Sequence, residues 1–143
     1  MNAMTDFHKE KANKAIETLK ERGAAALLLF PGADIGYYTG FSIGPSERLA
    51  AALIPFSGNP VLVVNRLEAE LRGQNSWITD MDLWLEHEDP VEILAENLER
   101  LDLEDAVVAI NEDAPWGWVN RLIERLPKLF FVDATFYMSQ IRM

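Results

Sequence analysis

Polar and apolar positions in this chain switch between two periods, and the switches mark its elements. Ala25 to Phe30 is an unbroken apolar run between Gly23 and Pro31-Gly32. A run that short, with such stops, predicts a strand buried on both faces. Upstream, Ala12, Ala15, Ile16 and Leu19 recur at helical spacing, with lysines and glutamates between them. That pattern predicts an amphipathic helix over residues 5–22, started by Thr5 or Asp6 and closed at Gly23. Downstream, residues 33–39 predict one short helix carrying Tyr37 and Tyr38, and the Gly-, Pro- and Ser-bearing stretch from Phe41 to Arg48 predicts a loop.

The same reading continues to the end of the chain. Arg48 to Ile54 and Val61 to Val64 predict two strands joined by the turn Ser57-Gly58-Asn59-Pro60. That hairpin requires an antiparallel pairing. Arg66 to Arg72 has helical composition and stops at Gly73; Trp77 to Trp84 alternates as a strand does. Asp89-Pro90, with Glu92 three residues after Asp89, reads as the start of a capped helix with the stripe Val91, Leu94, Leu98 and Leu101. Ala106 to Ile110 predicts a buried strand, and Asp113 with Pro115 opens a helix with Val119, Leu122, Ile123 and Leu126 on one face. Leu129 to Val132 predicts a last strand and Phe136 to Arg142 a last helix. Strands alternating with helices imply an α/β fold, a mostly parallel sheet with helices on both faces, made mixed by the hairpin.

Bulk properties then narrow the function. At 143 residues one domain is the expectation, with 4–143 as that domain and Met1-Asn2-Ala3 ahead of Met4 as a cloning remnant. A net charge of −10 disfavours nucleic acid and anionic membrane surfaces as partners. The absence of cysteine excludes disulfides and thiolate metal sites. No stretch approaches the ~20 apolar residues of a membrane span, and no signal-peptide core opens the chain, so a cytoplasmic protein is expected.

Few residues carry chemistry. Gly40-Phe41-Ser42-Ile43-Gly44 fits G-x-S-x-G, and a serine hydrolase would use Ser42 with Asp80 or Asp82 and His87; a nucleophile elbow, however, sits between a strand and a helix, and here a loop and then a strand follow. His87-Glu88-Asp89 lacks the second histidine of a zinc helix, because position 91 is valine. Pro31-Gly32-Ala33-Asp34 occupies the place where open α/β sheets bind ligands, yet has neither phosphate-binding fingerprint. Trp116 and Trp118, two apart on a helix, cannot share a face, so at least one is expected at the surface. Arg48 abuts an apolar strand and is expected to pair with a carboxylate such as Glu47, or else to face a partner's site.

Taken in order, ALLLF, ADIGYYTGF, ERLAAALIP, GNPVLVVNRLEAE and FFVDATFYMSQIRM resemble the N-terminal domain of creatinase and prolidase-type proteins, among them Xaa-Pro dipeptidases and aminopeptidase P. The resemblance runs from about Phe7 onward. It implies a three-layer α/β/α domain with a mixed sheet of about six strands. It further implies a following catalytic domain, absent here, that holds two metal ions on two Asp, one His and two Glu. The N-terminal domain carries none of those ligands, so no cofactor, no metal ligand and no catalytic residue is expected in this chain. The resemblance also implies that this domain helps to build a homodimer and, in many members of the family, closes over the active site of the neighbouring subunit. Within that frame Phe41 and Arg48, in the loop from Tyr38 to Arg48, are the candidates for contact with a substrate pocket or partner subunit. A final helix that stops at Met143 without a cap fits a truncated chain, and a stand-alone binding module without a catalytic partner is the other reading.

Overall fold

A computed structural model describes residues 3–71 and 76–142, and within it the fold is built outward from one strand. That strand, β1 (Ala26–Leu29), is buried at every position. Its neighbours are β2 (Ala51–Pro55) on one side, antiparallel, and β5 (Val107–Ile110) on the other, parallel. Beyond β2 lie β3 (Val61–Asn65) and the edge strand β4 (Asp80–Trp84); beyond β5 lies the other edge, β6 (Phe130–Asp133), giving the order β4-β3-β2-β1-β5-β6. The hairpin pairing β2–β3 is antiparallel as the turn sequence requires, while β3–β4 and β5–β6 are parallel. Only β2 therefore runs against the other five strands.

The sheet separates two cores. One face carries Leu27, Leu29, Ala52 and Val64 against α1 (Ala3–Lys20), α2 (Ala33–Thr39) and α6 (Thr135–Arg142), through Ala12, Leu19, Ile35, Tyr38 and Met138. The other carries Ala26, Leu28, Leu53 and Val63 against α4 (Pro90–Arg100) and α5 (Trp116–Arg125), through Leu94, Leu98 and Leu122. Alternate residues of β1 enter opposite cores, which is why the strand had to be apolar throughout. A short helix, α3 (Arg66–Leu71), follows β3 directly.

Local chemistry fixes the ends. Gly23 and Gly40 adopt φ values of 84° and 80° after α1 and α2, a left-handed turn that residues with a Cβ avoid. The Asp89 carboxylate accepts from Val91 N at 3.0 Å with Pro90 at the first position of α4. Glu92 does not turn back to complete a capping box. It points across to α5, where Arg125 donates to it at 2.8 and 2.9 Å and to Glu99 at 2.9 Å. Pro115 is the residue before α5 and offers no side-chain cap, so Asp113 is not a capping residue; its carboxylate instead lies against Asn111 and Gly32. β2 begins at Ala51, three residues later than the apolar run from Arg48, because the Leu49 carbonyl is taken by the Trp84 indole N–H at 3.0 Å. β4 likewise begins at Asp80 rather than Trp77, and the Trp77 indole donates to Tyr38 O at 2.8 Å. Of the segment read as a cloning remnant, Ala3 belongs to α1 and residues 1 and 2 lie outside the described residues, as does the helix stop at Gly73.

Two expectations follow. Leu28→Ala should cost about 2–5 kcal/mol, the range for a fully buried leucine, read as a lower urea midpoint. The Glu92 carboxyl is held below its ordinary value chiefly by the hydrogen bond from Arg125. In the unfolded chain Glu92 takes up its proton at about pH 4.3, whereas the folded form keeps its charge to lower pH. Its stabilising contribution is therefore complete above that ordinary value and disappears as pH falls through the lower, folded one. Wild type should exceed Glu92→Gln in urea midpoint at neutral pH, and the gap should close in strong acid; a gap that widens on acidification refutes the assignment.

Candidate functional site

Because five strands run one way, their carboxyl ends gather at one edge of the layer, the place where α/β sheets present ligand sites. The long loop from Gly40 to Ala50 must return to that same end before β2 can start. The result is a polar crown assembled from loops after β1, β3, β4 and β5 and the loop before β2.

Arg48 stands at its centre. Its Nε donates to Glu86 Oε1 at 2.6 Å and its guanidinium lies 3.8 Å from Glu68 Oε1. The expected pairing with a carboxylate is present, but the partners come from the loop after β4 and from α3 rather than from the adjacent Glu47. Asn65, the last residue of β3, donates to the same Glu86 oxygen at 3.3 Å and accepts from Leu67 N at 2.9 Å, so it ties α3 to the crown. An open cleft of about 390 Å³ lies here, lined by Ser46, Glu47, Arg48, Glu68, Trp84 and Glu86. On the far side of Arg48 is a small cavity of about 30 Å³ with Phe30, Asp113, Pro115 and Trp118 among its walls. With three glutamates around one arginine the open cleft is acidic. It suits a cationic group at its rim, and the guanidinium, 40% exposed, suits an anion that displaces Glu86.

Phe41 sits differently. It is 1% exposed and packs in the core beside Tyr38 and Ile43. Its backbone N–H donates to Thr39 Oγ1 at 3.0 Å, and the same hydroxyl donates to Ile35 O. Within this chain Phe41 holds the loop from beneath, while Arg48 is the residue that reaches the surface.

The remaining candidates are separated by the fold. Ser42 is exposed and follows helix α2 and its cap Gly40, so the strand-to-helix elbow that would activate a serine is not formed. His87 lies on the exposed turn after β4. Among the described residues no group of three His, Asp or Glu is placed to hold a metal ion. The Pro31-Gly32 turn does connect β1 to α2, but a Cβ on Gly32 would fall 2.5 Å from Asp113 Oδ2, so a carboxylate occupies the position a phosphate would need. Asn111 closes this side: it accepts from Phe30 N at 2.9 Å and donates to Phe30 O at 3.1 Å, acting as one more rung between β1 and β5. Trp116 is 69% exposed, and Trp118 is half-buried under the Arg121 guanidinium, 5.7 Å from the ring centre. Sequence reading missed Asn65, Asn111, Glu68 and Glu86. An asparagine directly after an apolar strand was the one available signal for the first two.

Residues 11–143 match the Creatinase/Prolidase N-terminal domain family. The Xaa-Pro dipeptidase of Lactobacillus helveticus is 33% identical over 79 residues, which is 55% of this chain and 22% of the relative. The crystal structure of a dipeptidase from Pyrococcus horikoshii OT3 superposes with a TM-score of 0.80 at 26% identity, over 93% of this chain and 36% of that one. A proline dipeptidase structure from Streptococcus pneumoniae shares the fold with a TM-score of 0.78 at 21% identity, over 92% of this chain and 96% of that one. The chain thus spans between 22% and 27% of the length of the curated relatives it matches. With the six-stranded mixed sheet, the two helical layers and a match over nearly the whole sequence, the chain belongs to the creatinase/prolidase N-terminal domain family.

Proposed function

We propose that this chain is the non-catalytic N-terminal domain of a metal-dependent Xaa-Pro dipeptidase or aminopeptidase, or of a creatinase-like hydrolase, and that it helps to form a dimer and to shape a substrate pocket. The family match over residues 11–143 carries this reading. The relatives that share the domain are named as dipeptidases, and the chain matches only a fraction of their length. The divalent ions implied by the family do not fit the side chains described here, which offer no convergent ligand set. In this proposal the ions, and the bases that act with them, belong to a catalytic domain.

Arg48 is then this domain's contribution to the pocket. A guanidinium oriented by Glu86 and Glu68 is a donor fork ready for a carboxylate, whether from a substrate or a neighbouring subunit. Phe41 keeps the loop at the height that makes this contact feasible.

The pure 143-residue protein, supplied with Mn²⁺, Co²⁺ or Zn²⁺, should not hydrolyse Xaa-Pro dipeptides. Measurable turnover refutes the non-catalytic reading, and turnover abolished by Ser42→Ala replaces it with a serine hydrolase. In a polypeptide that joins this domain to the catalytic one, Arg48→Ala should lower kcat/KM about tenfold to hundredfold, the worth of one charge-assisted hydrogen bond. Unchanged kcat/KM removes Arg48 from the pocket.

A further inference from the structure

The two edges of the sheet are built to opposite rules. β4 carries Asp80 and Asp82 at alternate positions, and Asp82 accepts from Asn97 of α4 at 2.8 Å. Charges placed along an edge in this way discourage pairing with another strand. β6 reads Phe-Phe-Val-Asp, and among the described residues no strand covers its outer side. Phe130 N donates to Ala106 O at 3.1 Å and Ala134 N to Ile110 O at 2.8 Å. In a parallel ladder the alternate residues point the other way, so the N–H and C=O groups of Phe131 and Asp133 face outward.

Apolar side chains flank that open edge on both faces of the sheet. On one face α5 turns the stripe Trp116, Val119 and Ile123 past the edge, and with Phe131 these bound a groove of about 320 Å³. A concave space of that size takes side chains rather than the flat face of a folded domain. Trp116 stands 69% exposed beside it. Pleating turns Phe130 to the other face from Phe131, and there Phe130 and Phe136 of α6 are 62% and 61% exposed. Glu112 and Asp133 close the groove at the end where the strands stop, and among the described residues no lysine, arginine or histidine lines it. Lys128 is exposed at the other end, just before β6 begins. The edge is therefore negative where β6 ends and positive where it starts.

We infer that β6 is a peptide-docking edge: an extended peptide adds to the six-stranded sheet as one more strand, antiparallel to β6 and alongside α5. The peptide's N–H and C=O groups pair with those of Phe131 and Asp133. Its side chains fall alternately into the groove and against Phe130 and Phe136. In the antiparallel direction the amino-terminal ammonium and a basic first residue lie beside Glu112 and Asp133, and the terminal carboxylate lies toward Lys128. A parallel peptide sets its carboxylate against carboxylates. The edge from Lys128 to Asp133 matches a peptide of roughly six residues at about 3.3 Å each. A second copy of this chain meets the same carboxylates with its own net charge of −10, whereas a basic-ended peptide brings the opposite sign. The inference rests on the sheet edge alone, so its failure leaves the peptidase reading untouched.

The probe is the peptide Lys-Val-Tyr-Val-Thr-Val, titrated into the 143-residue protein at about 0.15 M salt and followed by NMR. The Phe131 and Asp133 amides and the Trp116 indole should shift, and hydrogen exchange at the two amides should slow. N-methylating alternate amides of the peptide should weaken binding about tenfold or more in one set and leave the other set unchanged, because one set bonds to β6 and the other points away. Trp116→Ala, at a mostly solvated position, should weaken binding about tenfold while leaving the circular dichroism spectrum unchanged. The reversed peptide Val-Thr-Val-Tyr-Val-Lys should bind several-fold more weakly. Equal affinity of the two methylated sets overturns the inference, as does the absence of shifts at Phe131 and Asp133 under millimolar peptide. A reversed peptide that binds equally well overturns the antiparallel assignment. Phe131 and Asp133 amides that become protected without peptide as protein concentration rises give the edge to a second copy and overturn the inference too.

Discussion

The backbone of β1 has no access to water, and its N–H and C=O groups must be satisfied by neighbouring strands. β2 meets that demand from one side and β5 from the other, one antiparallel and one parallel. A strand caught between unlike neighbours sets the topology around it. The antiparallel partner starts at the end where β1 stops, so α2 and its loop leave that end and return to it, whereas the parallel partner is reached only after a long crossover from β2 to α4. Where the ladder of β1 runs out, Asn111 supplies both a donor and an acceptor to Phe30. The side chain thereby continues the sheet's bonding past the point where the two backbones diverge.

That arrangement is also what places polar chemistry at a single end. The crown around Arg48 is assembled from five separate loops whose common property is that they meet at the same end of the sheet. Buried tethers hold it: Trp84 through its indole, Asn65 through its amide, Phe41 through its ring. The opposite long edges follow a different logic, with carboxylates on β4 and aromatics on β6. One small domain thus has a polar end suited to small charged groups and an apolar flank suited to another polypeptide.

Much of the fold was legible because period and punctuation agree. The apolar run in β1 and the Asp89-Pro90 start of α4 each state their structure locally, and the hairpin turn fixes β2 against β3. Boundaries were less legible where a side chain from far away takes over a backbone group. Trp84 ends the ladder before Leu49 could join β2, and Trp77 is drawn to Tyr38 rather than into β4. The site was the least legible part. Nothing near Arg48 in sequence announces Glu86, 38 positions away, and the adjacent Glu47 was the more obvious partner. Such pairings are made by topology, which a single chain's local pattern encodes only indirectly. The role of Phe41 was obscured for a related reason, since an aromatic in a glycine-rich loop reads as a surface contact until the core beneath it is known.

The loop between Phe41 and Leu49 is pinned at each end by a buried side chain, with exposed residues from Gly44 to Glu47 spanning the gap. Its middle carries no share of either core. Substitution or insertion there can therefore alter what the crown admits while the sheet registers stay as they are. Evolution can retune this rim one residue at a time, without passing through a sequence that fails to fold.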